Sequence, residues 1–101
     1  MNTSSEKVEV RRTPLAYEAY LGDEKVGNLT IARHGDVISA IHTEVSPEAE
    51  GQGVGSTLAQ AVFDDARSAG RRVDVQCEFV AEWVDRHPEY KDVVVTSTSG
   101  G

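Results

Sequence analysis

A chain of 101 residues holds one hydrophobic core and leaves no room for a second. With a net charge of −7 and a sequence pI near 4.8 it makes a poor partner for nucleic acid, whose affinity comes from lysine and arginine neutralising phosphates. The single cysteine, Cys77, excludes an internal disulfide and a thiolate-built zinc site, and His34, His42 and His87 show no ligand spacing, so no metal is expected.

Met1 to Glu6 form a polar, small-residue tail without the basic start and apolar stretch of an export signal, and a cytoplasmic location is expected. A single domain then spans residues 7–95. Its first strand is expected over Lys7 to Arg12, where Val8 and Val10 alternate with charges. Pro14 interrupts the pattern. Leu15, Tyr17, Ala19 and Leu21 share one parity and predict a second strand ending at Gly22-Asp23. A third follows over Lys25 to Arg33, with Leu29 and Ile31 inward, and the His34-Gly35-Asp36 turn leads to a fourth, Val37 to Val45, as an antiparallel hairpin. In the fourth strand strict alternation puts Val37, Ile41 and Val45 on one face and Ile38, Ala40, His42 and Glu44 on the other.

Ser46-Pro47 stops that strand. Leu58, Ala59, Val62, Phe63, Ala66 and Ala69 recur at helical spacing and predict a helix from Val54 to Ala69, closed by Gly70. Val73, Val75 and Cys77 mark a short fifth strand. Phe79, Val80, Trp83 and Val84 lie on one side of a second helix running to Arg86, and by the same periodicity Phe63, Phe79 and Trp83 are core residues. Pro88 ends that helix, Lys91 to Val95 is a candidate last strand, and Thr96 to Gly101 form a second polar tail. The fold class is therefore α/β (α+β): a mixed, mostly antiparallel sheet of five to six strands with two main helices. No apolar run approaches the roughly 20 residues that span a bilayer, so no membrane partner is expected.

The chemistry concentrates between the fourth strand and the first helix, at Glu50-Gly51-Gln52-Gly53-Val54-Gly55-Ser56. Glycines at alternate positions cost folding entropy and belong where backbone bends sharply or approaches a ligand. The helix that follows offers unpaired N–H groups and a partial positive charge, a natural anion site. The spacing separates this turn from two relatives. A dinucleotide fingerprint needs Gly-x-Gly-x-x-Gly after a parallel strand, and a nucleoside-triphosphate loop needs Gly-Lys-Ser/Thr.

The turn resembles the pyrophosphate-binding signature of the GNAT superfamily of acyl-CoA-dependent N-acetyltransferases, Gln/Arg-x-x-Gly-x-Gly/Ala, with Glu50, Gly53 and Gly55 on its first, fourth and sixth positions. His42-Thr43-Glu44-Val45, Cys77-x-Phe79-Val80 and Arg86-His87-Pro88-Glu89-Tyr90 extend the likeness to the short, single-domain branch, over roughly two-thirds of the chain. The resemblance implies acetyl-CoA as cofactor, with backbone near Val45 pairing with the pantetheine arm. The N–H groups of Gly51, Gln52, Gly53, Val54, Gly55 and Ser56 would hold the pyrophosphate. The thioester would then lie between the splayed ends of the fourth and fifth strands. Glu50 departs from the pattern: a carboxylate about 8 Å from a pyrophosphate costs about 2 kcal/mol per unit charge at an effective dielectric of 20. Binding is expected to survive, weakened unless Glu50 points into solvent.

Two transfer routes fit the residues. In one, Cys77 takes the acyl group and passes it on, its thiolate favoured by the helix that begins beside it. In the other, an amine attacks directly, with Glu44 or His42 as base and Tyr90 as proton donor. Each residue also has a structural reading: Cys77 as a buried small apolar group, His42 as a hydrogen-bonded strand residue, His87 and Tyr90 as anchors of the turn after the last helix. The acceptor is expected to be an amine, small or on a protein, which an acidic surface attracts. A non-catalytic CoA-binding or interaction module is the first alternative, and a binding domain for another phosphate ligand is the second. The residues do not specify an oligomeric state.

Overall fold

The fold was described from a computed structural model covering residues 8–95, so both predicted tails and Lys7 lie outside the described residues. One five-stranded sheet carries β1 (Glu9–Thr13), β2 (Ala16–Leu21), β3 (Glu24–His34), β4 (Val37–Val45) and β5 (Arg72–Val75) in chain order. Neighbours from β1 to β4 are antiparallel, and β5 returns parallel to β4. A parallel return needs a crossover, which α1 (Val54–Ala69) supplies. After β5 comes α2 (Glu78–Arg86).

α1 forms where the apolar stripe predicts it. Leu58, Ala59, Val62, Phe63 and Ala66 are buried, and Gly70 in the left-handed region ends the helix, its N–H donating to the carbonyls of Ala66 and Arg67. Ala69, counted in that stripe, is exposed. The buried face meets Tyr17, Ala19, Leu29, Ile31, Ile38 and Val73 of the sheet, and Val80, Trp83 and Tyr90 join the same core. Each large side chain so buried contributes about 1.5–3 kcal/mol.

A half-buried polar knot ties α1 to the sheet. The Tyr17 hydroxyl donates to Asp65 Oδ2 at 2.6 Å, and Arg12 Nε donates to the same oxygen at 2.6 Å. Burial, reinforced by that carboxylate, pushes the Tyr17 phenol up to about 12. Burial opposes the charge on Asp65, but the hydrogen bonds from Arg12 and Tyr17 outweigh it and hold the carboxyl below its ordinary value.

The structure corrects four expectations. First, the register between β3 and β4 passes from Thr30↔His42 to Ile31↔Ala40, leaving Ile41 as a bulge. The extra residue inverts the alternation: Thr43 and Val45 share the helix-covered face with Ala40, while His42 and Glu44 turn to solvent on the other. Second, β5 stops at Val75, and Cys77 is the N-cap residue of α2. Third, Lys91 to Val95 is no strand. Pro88–Val93 is a 3-10 helix, whose three-residue period carries Tyr90 and Val93 inward together, and only Val94 bridges to Val73. Fourth, Leu15 and Phe79 are exposed; Leu15 sits in a turn whose amides at Leu15 and Ala16 donate to Thr13 Oγ1.

Candidate functional site

β4 and β5 pair only from Val37 to Ala40 on β4 and from Arg72 to Val75 on β5. Beyond the last hydrogen bond, Gln76 N–H to Ala40 C=O at 2.9 Å, β4 continues to Val45 with β3 on one side and, among the described residues, no strand on the other. The parted strands leave main-chain groups on that edge of β4 and open the sheet next to α1.

The glycine turn closes one side of this opening. A 3-10 turn over Pro47–Ala49 buries Ala49 and delivers the chain to Glu50. Gly51 and Gly53 then adopt φ of +86° and +77°, in the left-handed region that a Cβ disfavours. Gly53 is the N-cap of α1 and provides no capping side chain, and the first turn of the helix contains no acid. Among the described residues, the N–H groups of Gly51, Gly53, Val54, Gly55 and Ser56 find no protein acceptor. Val54 is 1% exposed and Gly55 is buried, so this is a cluster of orphaned donors at the positive end of a long helix. Gln52 differs from its neighbours. Its N–H donates to Ala49 C=O at 3.2 Å and its side chain to Glu48 C=O at 3.4 Å, so it is withdrawn from the donor set the sequence predicts.

A cavity of about 490 Å³ lies against this turn, between Thr43 and Val45 of β4, the backbone of Gly51, Gly53 and Gly55, and α2. That volume is of the size small-molecule sites take. The α2 wall is held rigidly. Trp83 Nε1 donates to Ser56 Oγ at 2.7 Å, and its ring stacks between Phe63, at 5.5 Å, and His87, at 4.1 Å between centroids. His87 Nδ1 lies 2.7 Å from Trp83 C=O, and since a carbonyl only accepts, the proton is on Nδ1. Phe79 lies over Gly55, where any Cβ would fall 2.7 Å from its ring. A glycine is thus required there for close approach rather than for backbone angle.

A second cleft of about 430 Å³ adjoins the first, sharing Thr43 and Phe79 and bounded also by Ile41, His42, Gln76, Cys77 and Glu78. Cys77 is buried, with Sγ 3.3 Å from Thr43 Oγ1. His42 Nε2 lies 3.2 Å from Glu44 Oε2, both side chains well exposed. His42 and Cys77 thus border the same cleft, and Glu44 is within hydrogen-bond reach of His42. Tyr90 is placed elsewhere. Its ring is buried against Phe63 and Trp83, and its hydroxyl donates to Asp64 Oδ1 at 2.6 Å, a bond that, with burial, raises the phenol above its ordinary value. Tyr90 thus anchors the turn after α2 and does not reach either cleft. Sequence reasoning missed the contribution of α2 to the cavity, from Phe79, Glu82, Trp83, Arg86 and His87. Helical periodicity distinguishes core from surface and carries no signal for which surface residues border a distant loop.

Among the described residues no helix is long and apolar enough to cross a membrane. No curated protein matches the sequence. The chain is similar to a GCN5-like protein from Staphylococcus aureus whose structure was solved by NMR, with a TM-score of 0.69 and 28% identity over 86% of this chain and 87% of that one. The profile of the family described as GCN5-related N-acetyl-transferase matches residues 16–93, spanning all five strands but the first and both main helices. The chain belongs to the GCN5-related N-acetyltransferase family.

Proposed function

We propose that the chain takes an acetyl group from acetyl-CoA and passes it to an amine, small or on a protein, in the cytoplasm. The observation that carries this reading is the cluster of unpartnered amides at Gly53, Val54, Gly55 and Ser56, the middle two residues buried, at a helix N-terminus beside a cavity of suitable size. Those groups fit a diphosphate, and the free edge of β4 near Val45 fits the amides of a pantetheine arm. Acetyl-CoA, when bound, supplies an acyl group activated as a thioester.

The chain's own groups divide the remaining work between the two clefts. In this reading Cys77, buried in the second cleft beside Thr43, takes the acyl group. Its sulfur, having lost a proton, bonds to the acyl carbon as the bond from that carbon to the CoA sulfur breaks, and the departing thiolate takes up a proton. The amine nitrogen then bonds to the acyl carbon, Cys77 leaves as thiolate, and the ammonium proton passes to His42, whose charge Glu44 offsets at 3.2 Å. If Cys77 takes no part, His42 serves direct attack in the same way.

Native mass spectrometry with CoA and acetyl-CoA tests this. The expected result is a one-to-one CoA complex and, with acetyl-CoA, an acetyl mass on the Cys77 peptide that an added amine discharges. A CoA complex with no label and no turnover across a panel of amines would make the chain a binding module. Absence of any CoA complex would overturn the reading.

A further inference from the structure

The proposed cofactor site has an imbalance of charge that one side chain corrects. Its cavity is bordered by two carboxylates, Glu50 and Glu82, and by one guanidinium, Arg86. We propose that Arg86 is the cation that holds the cofactor diphosphate, reaching it from α2 across the cavity from the glycine turn. The assignment rests on the acyl-CoA reading above.

Three observations support it. Arg86 is the one lysine or arginine among the described residues that line this cavity, and like Arg33, Arg71 and Arg72 it has no carboxylate within ion-pair distance among them. Glu82 stands four residues earlier on the same helix, at the spacing and order that favour a Glu–Arg pair, yet the guanidinium is left free of it. Second, a guanidinium offers a planar fork of donors that matches phosphate oxygens, and with the amides of Gly53 to Ser56 it would face the anion from two sides. Third, its backbone is braced. Trp83 bonds to Ser56 on the amide-bearing turn, His87 bonds back to Trp83 C=O, and Pro88 follows, so the backbone that carries Arg86 is tied to that turn.

A competing explanation is that Arg86, in the last turn of α2, only complements the helix dipole. That role would change stability and leave affinity alone. Calorimetric titration with CoA and with dephospho-CoA, which lacks the 3′-phosphate but keeps the diphosphate, separates the two. Arg86→Gln should weaken both ligands alike by about tenfold, flatten the salt dependence and leave the melting temperature within about a degree. Arg86→Lys, keeping charge without the fork, should lose about threefold. Arg33→Gln, which borders a separate surface cleft with Arg12, Thr13 and Pro14 and does not line this cavity, should change nothing. Unaltered affinity in Arg86→Gln, or a loss confined to CoA, overturns the assignment while the cofactor reading stands. A wild-type protein that binds neither compound ends both.

Discussion

The two ends of α1 are built on opposite principles. At the C-terminal end hydrogen bonds close the helix: Gly70 and Arg71 donate to the carbonyls of Ala66 and Arg67, Arg67 reaches the Glu89 carbonyl and Asp92, and Asp64 and Asp65 accept the hydroxyls of Tyr90 and Tyr17. At the N-terminal end no side chain caps the helix, no acid lies in the first turn, and the amides point to no partner. A Ser, Thr or Asp cap commonly stabilises a helix by about 1 kcal/mol. The fold forgoes that at the terminus where, on the acyl-CoA proposal, an anion would be held. Stability then resides in the closed half and the proposed binding in the open half.

The largest test of this contrast is Gly53→Val. A β-branched residue at φ +77° strains the turn and moves the amides, so CoA affinity should fall about a hundredfold in calorimetry, with a loss of about 2 kcal/mol in chemical denaturation. Ser56→Asp is next and should move the two properties in opposite directions. The new carboxylate still accepts from Trp83 and complements the helix terminus, so the free protein should gain about 0.5 kcal/mol while CoA binding weakens about tenfold. A gain in both would break the comparison.

Tyr17→Phe probes the other half. It removes one hydrogen bond to Asp65 and should cost about 1 kcal/mol, with CoA affinity held within about twofold. The pH dependence gives the smallest and most specific effect. The phenol is raised from 10.0 to about 12 on folding, so its contribution is complete below pH 10 and is lost as pH rises toward 12. Denaturation midpoints should decline over that interval in the wild type, and the Tyr17→Phe variant should lack that part of the decline. The depressed Asp65 acts in the opposite sense: its contribution is present above the ordinary carboxylate value of 3.8 and is lost as pH falls below it.

Much of this was legible in the residues because the signals were local. Periodicity and Gly70 delimit α1 to the residue, and the β3–β4 hairpin follows from alternation around His34-Gly35-Asp36. The glycine turn was readable for the same reason, since its chemistry depends on a few consecutive residues. What escaped depends on pairing or on packing. Nothing local marks Ile41 as a bulge, yet that one residue inverts the faces of His42, Thr43, Glu44 and Val45. The run Val93-Val94-Val95 has strand propensity, but Tyr90 and Val93 are drawn inward by the core at a period of three. Phe79 fits the apolar stripe of α2 and nevertheless sits half out of the core, because Gly55 leaves it a place on the rim.

Trp83 is the sole indole in the chain, and its N–H ends on the hydroxyl of Ser56 in the first turn of α1. The intrinsic ultraviolet emission of this protein is therefore a local gauge rather than an average over the fold. Any anion settling against that turn changes the polarity around the emitting ring, and occupancy can be followed by light in the unlabelled, unmodified molecule.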